Sequence, residues 1–120
     1  MRVLKNLAAA ICLAAALAPA LVSAQAKTLV VDGTMWLNSS TTERRAFLLG
    51  AANMISLEEA YAKRKGLPSA PAGALATRAV KDMTLDQIEQ RLTHWYEANP
   101  GKRGLPVMSV IWNQIVAPRK

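Results

Sequence analysis

The only cysteine of this chain, Cys12, sits inside an N-terminal apolar run, so whatever folds after that run must do so without a disulfide. Arg2 and Lys5 precede the run, Leu7 to Ala18 is unbroken and apolar, and Pro19 ends it. Small-residue cleavage sites follow at Val22-Ser23-Ala24, before Gln25, and at Ala24-Gln25-Ala26, before Lys27. This layout reads as a secretory signal peptide over residues 1–24, cut after Ala24 or two residues later, and it is too short for a membrane span. Ile11 and Ala9 occupy the places where a lipoprotein signal needs a small residue and a leucine, which excludes lipidation of Cys12. Residues 25–120 are then one exported domain that lacks thiols and depends on an apolar core.

Charge narrows the partners. With Arg2 and Lys5 removed, 13 basic residues face 8 acidic ones. Lys63-Arg64-Lys65, Lys102-Arg103 and Arg119-Lys120 fall where helices are expected to end, and cations there complement the partial negative charge of the helix C-terminus. A nucleic-acid surface would gather them on one face with aromatics between, so nucleic acid is not expected as a partner.

Helix punctuation organises the rest. Thr28-Leu29-Val30-Val31 is a brief strand or an extended arm, closed by the turn pair Asp32-Gly33. Ser40 and Glu43 have capping-box spacing and open a long helix, whose Phe47, Leu48, Ala51, Met54, Ile55, Glu58 and Ala62 share one stripe. Glu59 and Lys63 are spaced for an ion pair on its outer side. Gly66-Leu67-Pro68 stops that helix, and residues 66–74 read as a loop. Leu75 to Lys81 forms a short helix. Thr84 with Gln87 opens another, which buries Leu85, Ile88, Leu92, Trp95 and Tyr96 and ends at Asn99-Pro100-Gly101. Pro106 suits a first helical position, and Val107, Met108, Ile111, Trp112 and Ile115 form the last stripe before Pro118. The expected fold is all-α, a small bundle of three to four helices with a short extended N-terminal segment.

Three segments together carry a likeness. Phe47-Leu48-Leu49-Gly50-Ala51-Ala52 places a glycine within a long helix, residues 88–100 (IEQRLTHWYEANP) end a helix in aromatics and Asn-Pro, and residues 106–118 (PVMSVIWNQIVAP) form a closing helix. In this order they resemble the Rap/Tai-type periplasmic immunity proteins, small exported helical domains that block peptidoglycan-cleaving secretion effectors. The likeness covers most of Arg44 to Pro118 and differs in lacking that family's helix-bracing cysteines. It implies a helical binding module, with a cell-wall hydrolase effector as its partner.

Reactive groups are few. His94 and Glu97 stand three apart on a helix, too few ligands for a metal, and neither a metal nor another cofactor is expected. Glu58 and Glu59 point ~100° apart on a helix and cannot flank one scissile bond. The serines lack a nucleophile-elbow context, and Gly101-Lys102-Arg103-Gly104 lacks phosphate-loop spacing. Glu58, inside an apolar stripe, would need a cationic partner if buried. Trp36, Trp95, Tyr96 and Trp112 are the residues best suited to anchor a partner, although helical spacing places Trp95 and Trp112 in the core, and Trp36 falls outside any expected helix. The expected role is a non-enzymatic periplasmic binding or inhibitory module. The alternatives are an envelope structural or chaperone-like protein, or a small hydrolase built on His94.

Overall fold

The computed structural model describes residues 29–118. The leader, Cys12, the cleavage residues Ala24 and Gln25, Thr28 and the Arg119-Lys120 pair lie outside the described residues. The architecture is all-α, with five α-helices: α1 (Gly33–Asn38), α2 (Thr41–Lys65), α3 (Pro71–Val80), α4 (Leu85–Ala98) and α5 (Val107–Ile111). A 3-10 turn (Pro100–Lys102) follows α4, and α5 runs on into a π-helical turn (Trp112–Val116). No helix among the described residues is long and apolar enough to cross a membrane.

The two long helices start and stop where their side chains say they should. Ser40 accepts from the Glu43 amide at 3.2 Å while the Glu43 carboxylate takes the Ser40 N–H at 2.7 Å, so two orphan donors are satisfied reciprocally. The Ser40 N–H, together with the Ser40 hydroxyl donating at 2.9 Å, also holds the Glu43 carboxyl below its usual range. Gly66 ends α2 in the left-handed region at φ 65°, with the Leu67 amide donating back to the Ala62 carbonyl at 2.9 Å. Lys63, Arg64 and Lys65 occupy the last turn of α2, as the helix dipole favours. Thr84 and Gln87 repeat the capping box at α4. Asn99, restricted by Pro100 and donating to the Trp95 carbonyl at 2.8 Å, closes that helix.

Several boundaries differ from the sequence reading. The segment before residue 40 is not only extended: Asp32 caps a six-residue helix by accepting the Met35 amide at 2.9 Å, which places Trp36 inside α1. Leu29 to Val31 form no helix, and the chain there meets its later part, where the Val107 amide donates to the Val31 carbonyl at 2.9 Å and Asp32 forms an isolated antiparallel bridge with Pro106. The loop after α2 is shorter than residues 66–74, because Pro71 starts α3 with its fixed φ and dispensable N–H. Pro106 caps α5 rather than entering it. Glu59 accepts from Ser69 Oγ at 2.9 Å instead of pairing with Lys63, which fastens the loop onto α2.

The core joins α1, α2, α4 and α5 through Trp36, Leu48, Leu92, Tyr96, Val107, Val110 and Ile115. At its edge lies a buried polar cluster. Arg44 of α2 donates from Nη1 to Glu89 Oε1 at 2.9 Å and from Nε and Nη2 to the carbonyls of Trp36 and Leu37, at 2.7 and 3.0 Å. Thr93 Oγ1 accepts from Trp36 Nε1 at 3.0 Å and donates to Glu89 Oε1 at 3.0 Å. The Arg44 guanidinium also stands 5.8 Å from the centre of the Trp36 ring, whose other neighbour is the edge of Phe47. The carboxylate that needed a cation is therefore Glu89, not the exposed Glu58. A second pair, Arg45 with Asp86 at 2.7 Å, is half-exposed and adds little.

Breaking the buried pair leaves an uncompensated charge, so Glu89→Ala should lower the unfolding free energy by about 3–5 kcal/mol, measured from the urea midpoint. Equal midpoints for wild type and Glu89→Ala would contradict this account of the cluster.

Candidate functional site

The first half of α2 is held by Arg44, Phe47 and Leu48, but the second half is apolar on two sides. Ile55 turns towards α3, where Gly73 lets the helices approach closely: a Cβ there would lie 3.2 Å from Ile55 Cγ2. The opposite side carries Met54, Leu57 and Tyr61, spaced three and four residues apart and 59, 62 and 58 % exposed. The left-handed cap at Gly66 turns Leu67 back to the end of this row, and Leu67, Pro68 and Ala70 wall a groove of about 440 Å³ with Met54, Leu57, Glu58, Tyr61 and Ala62. Glu58 is the acidic group in that lining, and Arg64 and Lys65 continue the same face at the helix end. Gly50, one turn before Met54, is exposed, and a Cβ there would meet nothing within 4 Å. It does not serve helix packing inside the bundle; it leaves the N-terminal end of the face open.

The aromatic candidates do not converge. Trp36 is buried at 1 % exposure and structural. Tyr96 is buried too: its ring lies over Gly33, where any Cβ would overlap it, and its hydroxyl donates to the Leu105 carbonyl at 2.8 Å. Trp95 is half-buried, edge-on to Tyr96 at 5.2 Å. Trp112 is 39 % exposed rather than in the core, and Met108 also points outward. Val107 and Val110 are the buried residues of α5, and Ile115 is buried in the π-helical turn, which the Ala117 amide closes on the Trp112 carbonyl at 2.8 Å. Met54, expected to face inward, is exposed, and so is Glu58, whose burial the sequence left open. His94 is exposed as well.

Leu57, Tyr61 and Leu67 are the residues that sequence reasoning passed over. Their signal was present as a second apolar row on α2, but the inward row of the same helix has equal spacing. Among the described residues, no group of three or more His, Cys, Asp and Glu side chains is placed to hold a metal ion. Comparison with models of known protein families, with characterised proteins and with solved structures finds no match.

Burial, aided by the Asp32 carboxylate, pushes the Tyr96 hydroxyl up to about 12. A phenol whose pKa is raised by folding keeps its proton in the native state while the unfolded chain loses its own near pH 10. Stability should therefore fall between about pH 10 and about pH 12, seen as a declining urea midpoint, and Tyr96→Phe should flatten that part of the profile. A wild-type midpoint that stays level across this window would contradict the placement of Tyr96.

Proposed function

We propose that this protein is an exported binding module of the bacterial envelope that docks a partner protein on the bare face of α2. In keeping with the resemblance to Rap/Tai-type immunity proteins, the partner proposed is a cell-wall-degrading secretion effector, and the role is to block it without catalysis. The observation that carries the reading is the exposed row Met54, Leu57, Tyr61 and Leu67 on a helix whose other side is packed. Large contiguous apolar patches on a small exported domain mark interaction surfaces. Anchors at such helical spacing are those with which a helix enters a partner's groove. Tyr61 offers a rigid, amphipathic anchor, and Glu58 beside it is a polar group that fixes register. Arg64 and Lys65 at the end of the face favour an acidic rim on the partner.

The test is protection. A cell-wall hydrolase encoded beside this gene, directed to the periplasm, should arrest growth, and co-expression of this protein should restore it. The Leu57→Asp and Tyr61→Ala variants should retain their helical circular dichroism, since both residues are exposed, yet bind the hydrolase at least about 30-fold more weakly and fail to protect. Full protection by both variants would contradict the proposed face, and unrelated neighbouring genes throughout would count against the immunity role.

A further inference from the structure

A second cleft, of about 630 Å³, opens at the opposite end of the sequence and shares no residue with the α2 groove. One wall is Trp95, near the end of α4. Lys102, from the 3-10 turn, holds its ammonium 5.9 Å from the centre of the Trp95 ring. The other wall is the π-helical turn, which presents Asn113 and Gln114, while Leu105 and Pro118 supply apolar surface. The π-helical turn is held in place from outside, because Arg91 donates to the Gln114 carbonyl at 2.7 Å.

Three features of this lining define a ligand. The face of an indole is a flat apolar platform. Two carboxamides, each with a donor and an acceptor, match hydroxyls, which likewise donate and accept. Among the described residues, Lys102 makes no ion pair and no carboxylate lines the cleft, so its charge is available to an anion. The volume falls in the range of small-ligand sites, and π-helical insertions recur at functional positions. We propose that this cleft binds an acidic sugar, a pyranose ring bearing a carboxylate or a phosphate. The ring stacks on Trp95, its hydroxyls meet Asn113 and Gln114, and Lys102 swings from the indole to the anion. In the envelope that chemistry has two sources, the carboxylated amino sugar of the cell-wall glycan and the phosphorylated sugars of lipopolysaccharide.

The chain holds three tryptophans, so three indole N–H resonances report on binding. The purified protein is titrated with N-acetylmuramic acid, with glucosamine 6-phosphate, with neutral N-acetylglucosamine and with a short acidic peptide. An acidic sugar should move the Trp95 indole resonance at concentrations on the order of millimolar and leave that of buried Trp36 in place. Which acidic sugar binds more tightly names the source. The neutral sugar should bind about tenfold more weakly, and Lys102→Gln should erase that difference. Asn113→Ala, at an exposed position that leaves the Trp95–Tyr96 packing intact, should weaken all the sugars. The proposal is overturned if neither acidic sugar moves the Trp95 resonance, if the peptide binds as well as the sugars, or if Lys102→Gln leaves the charge preference unchanged.

Discussion

The guanidinium of Arg44 is the point where three helices meet. A six-residue helix such as α1 cannot hold itself together in water, and its last carbonyls need donors from beyond the helix, of which the Ser39 amide gives one to Trp36. Arg44 reaches from α2 to give Trp36 and Leu37 those donors, while its remaining edge is neutralised by Glu89 of α4. Thr93 completes the arrangement by accepting from the indole of Trp36 and donating to Glu89. The planar fork of arginine suits this divided task; a lysine's point charge would not span the two carbonyls and the carboxylate together. With no thiol after Cys12, no disulfide can brace the described residues, which rest on this cluster and the apolar core beside it.

The position of Arg44, in the first turn of α2, has a consequence for the rest of that helix. At 25 residues α2 is about 37 Å long. Its start is pinned to α1 and α4, and from Ile55 onward its neighbour is α3, which approaches over Gly73 and is tied by the Ser69–Glu59 bond. Among the described residues, no helix covers the side bearing Met54, Leu57 and Tyr61. A helix anchored at one end and bare along one face of the other presents that face already helical, which lowers the ordering cost of binding.

Much of this was legible in the residues. Both capping boxes, the glycine stop at Gly66, the Asn-Pro stop and the inward face of α4 follow from local chemistry, because caps depend on bonds within one turn. What depends on tertiary contact was not legible. The helix holding Trp36 is too short to show periodicity, and it exists because Arg44 and Tyr96 enclose it from other helices. Two apolar rows of equal spacing on α2 leave open which one is covered, so Met54 was assigned inward and Leu57 and Tyr61 went unremarked. Glu89 sits one residue after Ile88 and three before Leu92, within the buried face of α4, and that pattern marked it as the carboxylate in need of a cation more clearly than Glu58. At the C-terminus Val107, Val110 and Ile115 are buried, whereas Met108 and Trp112, four residues apart, share the solvent side, so a stripe drawn through all the large apolar residues mixed two faces.

The central claim is that α2 is divided, with its first half locked into the bundle and its second half presenting an uncovered face. Native-state hydrogen exchange resolves this residue by residue. Amides of Leu48 to Ala51 should open only with global unfolding, whereas those of Leu57 to Lys65 should exchange through a local opening of lower free energy that rises when a partner is bound. Uniform global protection along the whole of α2 in the free protein would contradict the account.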